Sequence, residues 1–175
     1  MKKYVKTHYS GVMYDECING EGWGCTIFLS GCKFHCEDCQ NKQAWDFSYG
    51  EELKIEDIIN LTNHYKNNPW LDRVTICGGE PLCEENIQAT RDIASTFKTI
   101  LPDIEVWCYS GHTFEELSYI YNVDEVLTDI DILIDGRFDK TKTKPRPLYR
   151  GSYNQRIINV QRTLEEGKIV IKKVK

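Results

Sequence analysis

Short apolar runs that favour strands alternate along the chain with stretches whose apolar residues recur every three or four positions. Thr26-Ile27-Phe28-Leu29 is a β-favouring run closed by Ser30-Gly31, and it predicts a buried strand entering a loop. Ile55, Ile58, Ile59 and Thr62 fall at helical spacing and predict an amphipathic helix over about 54–65, stopped by Asn67-Asn68-Pro69. Arg73-Val74-Thr75-Ile76-Cys77 predicts a second strand, ending in Gly78-Gly79-Glu80-Pro81. Ile87, Thr90, Ala94, Phe97 and Leu101 again step by three and four; this predicts a helix that Pro102 ends. A third strand, Glu105-Val106-Trp107-Cys108-Tyr109, runs into Ser110-Gly111, and Thr113 and Glu116 have capping-box spacing for a short helix. Ile132-Leu133-Ile134 leads as a fourth strand into Asp135-Gly136.

Strand, glycine loop and helix in repetition form the pattern of a parallel sheet with helices packed on it. Such sheets place ligands at the carboxyl ends of their strands. The cysteine-rich loop after Leu29, the Gly-Gly-Glu-Pro loop, Ser110-Gly111 and Asp135-Gly136 all follow strands, so they are expected to converge on one edge. Four clear units predict an α/β fold of the partial, open (β/α) barrel kind, not eight closed repeats. The tail segments 156–160 and 168–172 are expected to add edge strands. With no internal repeat or long linker, 1–175 reads as a single domain.

Composition narrows the class. The 175 residues are 41% hydrophobic and 28% charged, a globular balance, and 22 Lys+Arg against 27 Asp+Glu give a net charge of -5. That argues against a nonspecific nucleic-acid partner, which needs a basic surface to neutralise phosphates. Met1-Lys2-Lys3-Tyr4-Val5-Lys6-Thr7-His8 is charged with no apolar run behind it, so neither a secretory signal nor a membrane span is expected. A cytoplasmic location follows, where thiols stay reduced and cysteines more often bind metals or react than pair. Eight cysteines then point at thiol chemistry.

Cys32-Lys33-Phe34-His35-Cys36-Glu37-Asp38-Cys39 places three cysteines at x3 and x2 spacing in one loop. Three thiolates so close repel unless a cation or cluster accepts them, and short Cys spacings are what iron–sulfur clusters use. No fourth cysteine follows nearby, so a four-iron cluster held here has one iron open to a ligand, a catalytic feature. The competing reading is a zinc knuckle with His35 or a remote cysteine as fourth ligand.

Cys32, Cys36 and Cys39 after a strand, with Gly78-Gly79-Glu80-Pro81 after the next, resemble the two signature motifs of the radical S-adenosylmethionine superfamily. Five further blocks resemble the activating enzymes of anaerobic ribonucleoside-triphosphate reductase. They are Asn19-Gly20-Glu21-Gly22-Trp23-Gly24-Cys25-Thr26, Asn41-Lys42-Gln43-Ala44-Trp45, Trp107-Cys108-Tyr109-Ser110-Gly111, Asp135-Gly136-Arg137-Phe138-Asp139 and Arg150-Gly151-Ser152-Tyr153-Asn154-Gln155-Arg156. Two positions depart from the pattern: Asp38 stands where an aromatic residue often precedes the third cysteine, and Glu80 where many activases carry Asp.

The resemblance implies a [4Fe–4S] cluster on Cys32, Cys36 and Cys39 and S-adenosyl-L-methionine as cosubstrate. It further implies contacts from Gly78, Gly79 and Glu80 to the methionine end, with Glu80 facing its ammonium, and from Ser110 and Gly111 to ribose or methionine. The implied reaction is hydrogen abstraction from a glycine Cα of the reductase, with a one-electron donor such as a flavodoxin and no catalytic side chain beyond the cluster ligands. Two alternatives stand beside it: a radical enzyme acting on a small molecule of the deazaguanine type, to which Asn19-Gly20-Glu21-Gly22 bears a likeness, and a non-catalytic zinc-binding interaction module. Cys17, Cys25, Cys77, Cys83 and Cys108 read as core or loop filler, His8, His64 and His112 as ordinary surface or loop residues, and Trp23 and Trp45 as packing. The basic run 140–150 reads as a partner-docking or structural loop, with Arg150 or Arg156 as alternatives for a substrate carboxylate.

Overall fold

A computed structural model of the protein describes residues 6–68, 70–120 and 122–174. Residues 1–5, in the charged N-terminal stretch, and Pro69, part of the expected helix stop, lie outside the described residues. Strands β1 (His8–Glu16), β2 (Gly24–Leu29), β3 (Glu51–Glu52), β4 (Arg73–Gly78), β5 (Glu105–Tyr109), β6 (Ile132–Asp135) and β7 (Arg156–Asn159) form one open sheet in the order β3-β1-β2-β4-β5-β6-β7. The central β2-β4-β5-β6 run is parallel, as the repeated pattern predicts, while β1, β3 and β7 pair antiparallel at the flanks.

Helices α1 (Ile55–Tyr65), α2 (Ile87–Ile100), α3 (Phe114–Leu117), α4 (Val123–Leu127) and α5 (Val160–Glu166) complete the fold. One face of the sheet, with Ile27, Leu29, Val74, Ile76, Val106 and Leu133, packs on α1 and α2 through Ile58, Leu61, Ile93 and Phe97. α1 buries Ile58, Leu61, Thr62 and Tyr65, so its inward face is turned from the one predicted, and Ile55 and Ile59 remain exposed. The expected capping box of α3 is present: Glu116 N–H donates to Thr113 Oγ1 and Thr113 N–H to Glu116 Oε2. On the opposite face a smaller cluster of Trp107, Ile132, Ile134 and Ile157 is covered by Tyr149 and Val174.

Of the two edge strands expected in the tail, 156–160 forms as β7, one residue shorter because Val160 begins α5, whereas 168–172 makes only an isolated bridge, Ile158 to Ile171.

The block after β1 has a structural duty at the amino end of the parallel strands. Arg73, fully buried at the start of β4, donates to Glu16 Oε1 at 2.8 Å and to Thr75 Oγ1 at 2.8 Å. Thr26 Oγ1 and the Asn19 amide also donate to the Glu16 carboxylate. Burial raises the Glu16 pKa, but Arg73 and these donors outweigh it and hold the carboxyl below its ordinary value. A Cβ at Gly24 would lie 2.5 Å from the Arg73 guanidinium, and one at Gly20 2.7 Å from its stem, so both glycines make room for the buried cation.

Candidate iron–sulfur and cofactor site

The three cysteines leave the carboxyl end of β2 on one loop, half-buried and free. His35 and Asp38, each directly before a cysteine, have φ of 48° and 57°, so the chain turns sharply ahead of Cys36 and again ahead of Cys39. Cys39 N–H donates to Cys36 O at 3.1 Å and closes the second turn. The loop base is fixed by Gly31 N–H to Ala44 O and Cys32 N–H to Trp45 O, both in the turn after the cysteines.

Asn41 N–H donates to Cys39 Sγ at 3.4 Å, and the backbone at Phe34 and His35 favours the charged form of Cys32, as that at Phe138 does for Cys36. Burial nonetheless raises the Cys32 and Cys36 thiols, and a neighbouring cysteine adds to each shift. Thiolates therefore gather here only with a positive partner. Among the described residues no three His, Cys, Asp or Glu side chains are grouped so as to hold a metal ion by themselves. Three soft donors on one short loop, with backbone that favours the charged form of Cys32 and Cys36 and an amide on Cys39, fit a thiolate-bound iron–sulfur group.

The four strand exits are fastened to one another in a ring. From β2 to β4, Gly79 N–H donates to Leu29 O at 2.7 Å, Glu80 N–H to Gly31 O at 2.8 Å, and Asn86 Nδ2 to Ser30 O at 2.9 Å. A Cβ at Gly79 would sit 2.4 Å from Gly31 O; the glycine is thus required by the neighbouring backbone, whatever ligand lies above it. From β4 to β5, Glu80 accepts from Ser110 Oγ at 2.7 Å and from Gly111 N–H at 2.6 Å. From β5 to β6, Ser110 N–H reaches Ile134 O and Gly136 N–H reaches His112 O. The ring closes where Arg137 lies 4.6 Å from the Phe34 ring centroid and Lys140 pairs with Glu37, both back on the cysteine loop.

Glu80 is 2% exposed, and its carboxylate also accepts from Leu82 N–H at 3.0 Å. Burial pushes its pKa up to about 7, although all three hydrogen bonds pull the other way. Its oxygens are turned onto the β5 exit, where Ser110 and Gly111 donate to them. The Ser110 hydroxyl donates to Glu80 and accepts from His112 N–H.

Residues 18–158, which contain all four exits, match the family described as a 4Fe-4S single cluster domain. The anaerobic ribonucleoside-triphosphate reductase-activating protein of Pasteurella multocida is 34% identical over 144 residues, 80% of this chain and 89% of that protein. The chain belongs to the anaerobic ribonucleoside-triphosphate reductase-activating protein family. The activating protein of enterobacteria phage T4 is 28% identical over 86% of this chain and 92% of its own length. That of Escherichia coli K12 is 30% identical over 80% and 90%. Membership of an iron–sulfur family weighs against the zinc reading.

Several residues of this activating-protein family member do more than the sequence suggests. His112 is no ordinary loop residue: its ring packs 4.7 Å from the Phe34 centroid, and burial lowers its pKa. Phe34 therefore lies between Arg137 and His112, and a Cβ at Gly111 would meet its ring at 2.5 Å. Trp45 packs on His35 at 4.6 Å, but Trp23 is exposed at the start of β2, the far end of the strand from the cysteines.

Arg156 does not present itself to a substrate carboxylate, since its guanidinium is taken by Asp135 and Glu115. Arg150 donates to Gln155 O at 2.9 Å, and Gln155 in turn gathers the amides of Gly151 and Ser152 and donates to Gly136 O. The Arg150–Arg156 block is thus a staple on the β6 exit. The Asn19-Gly20-Glu21-Gly22 stretch lies at the Arg73 end, which removes its bearing on the site chemistry.

Proposed function

We propose that the protein is a radical S-adenosyl-L-methionine activase of anaerobic ribonucleoside-triphosphate reductase, acting as one domain over 1–175 on a partial, open barrel of that superfamily. The observation that carries this reading is the ring of strand exits at one sheet edge, with three cysteines on its first member. Cys32, Cys36 and Cys39 would hold three irons of a [4Fe–4S] cluster, leaving the fourth open to S-adenosyl-L-methionine.

A cluster held there would supply the one electron that splits S-adenosyl-L-methionine into methionine and the 5′-deoxyadenosyl group, which would in turn remove a hydrogen atom from a glycine Cα of the reductase. The chain's own work is placement. Gly78 and Gly79 bring bare backbone to the rim beside Cys32. Glu80 holds Ser110 and Gly111 in place and acts on the cosubstrate through them, while the amides on the sulfurs tune the bound group. The electron comes from a one-electron donor such as a flavodoxin, in the cytoplasm. No helix among the described residues is long and apolar enough to cross a membrane.

Electron paramagnetic resonance on the anaerobically reconstituted, dithionite-reduced protein tests the reading. A [4Fe–4S] signal that changes on adding S-adenosyl-L-methionine, followed by a glycyl radical in added reductase, is the expected result. A zinc-loaded protein, or a cluster indifferent to S-adenosyl-L-methionine, sinks it. Formation of 5′-deoxyadenosine with a small molecule but never with the reductase would favour the small-molecule alternative.

A further inference from the structure

We infer that Lys140 is a positioning residue for the cysteine loop, neutralising Glu37 and Asp38 and thereby setting how readily the group held there accepts an electron. This deepens the proposed function and rests on its iron–sulfur cluster. Glu37 and Asp38 are the two residues between Cys36 and Cys39, so two carboxylates sit beside two sulfurs that themselves carry negative charge when ligated. Lys140 reaches both from the far end of the ring: its ammonium pairs with Glu37 Oε1 and lies 3.4 Å from Asp38 Oδ2.

Of the neighbouring cations, Arg137 also acts on Cys36, while Lys140 is the one paired with both carboxylates among the ion pairs of the described residues. Lys33 pairs with Glu85, Arg137 lies over Phe34, and Lys142 is 2.9 Å from Asp139. The segment bearing Lys140 is itself fastened. Asp139 Oδ1 accepts from Thr141 N–H at 2.9 Å, Asp139 N–H donates to Ser152 Oγ at 3.0 Å, and Asn154 Nδ2 donates to Arg137 O at 2.8 Å. An ion pair this exposed adds little to stability. Its field still acts on a neighbouring redox group, because reduction adds a negative charge that a nearby cation favours.

The test is a redox titration of the reconstituted holoprotein, followed by electron paramagnetic resonance at low ionic strength, with iron per chain read alongside. Lys140→Met is expected to lower the ratio of reduced to oxidised cluster at a fixed solution potential by about threefold, a gap that added salt narrows. Lys140→Arg should match the wild type, and Lys140→Met combined with Glu37→Gln and Asp38→Asn should return to it. If Lys140→Met instead loses iron and the triple variant regains it, the loop depends on the same neutralisation and the inference stands. An iron-loaded Lys140→Met that titrates like the wild type, or a triple variant that stays impaired, overturns the inference alone. A wild type that takes up no redox-active iron overturns it together with the proposed function.

Discussion

Replacing Glu80 by glutamine separates the electrostatics of the ring from its shape. The side chain keeps its size, and its carbonyl can still accept from Ser110 Oγ and Leu82 N–H, while Gly111 N–H loses its acceptor, a cost that does not vary with pH. The wild-type carboxyl is shifted from an ordinary 4.5 to about 7 by burial. Between those values the unfolded chain has released its proton while the folded protein retains it. Stability from this group is therefore full below about pH 4.5 and is lost as pH rises through about 7. A shift of that size amounts to about 3 kcal/mol. Urea unfolding of wild type and Glu80→Gln, run side by side between about pH 4 and pH 8, isolates the contribution of this carboxyl. The other titrating groups are common to both proteins, so the difference in unfolding free energy should move by about 3 kcal/mol in favour of the variant as pH rises. Parallel curves would refute the reasoning, because they would mean that the three donors already stabilise the carboxylate fully.

Three more outcomes follow from the packing and the donor set. Gly79→Ala drives a methyl group against Gly31 O and should cost about 1–3 kcal/mol in thermal or urea unfolding, with reduced iron uptake on reconstitution. Arg73→Met leaves the buried Glu16 carboxylate without its cation and should cost about 3–5 kcal/mol, most of it recovered by adding Glu16→Gln; denaturation midpoints decide it. Cys36→Ser should abolish retention of the iron–sulfur group while far-ultraviolet circular dichroism stays unchanged, since the thiol is half-buried in a loop; a variant that keeps full iron would remove Cys36 from the ligand set.

The parallel strands were legible because each is a run of buried β-formers closed by glycine, as in Arg73–Gly78, where the first five residues are all buried. β1 was not. His8–Glu16 is interrupted by Gly11, and only Glu16 in it is fully buried, so no alternation advertises an edge strand. The five-residue α4 is too short to establish a period. The cysteines and Gly78-Gly79-Glu80 stand in contiguous motifs and could be picked out by spacing. Phe34, His112, Arg137 and Lys140 could not, because their contacts join loops far apart in the chain and exist only once the exits meet. The Asn19–Gly24 stretch stood out in the sequence, but its duty as a socket for Arg73 depends on a partner more than forty residues away.

The closure of the ring also has a consequence in time. Lys140 lies 103 residues after the Glu37 it pairs with. During synthesis at about 5–20 residues per second, the thiols of the cysteine loop precede their fasteners by on the order of 5–20 s. A nascent chain therefore carries three accessible, unsupported cysteines before β6 and its exit loop exist. An iron–sulfur group taken up in that interval would meet the cysteine loop alone, whereas one taken up afterwards would meet it already beside Arg137 and Lys140.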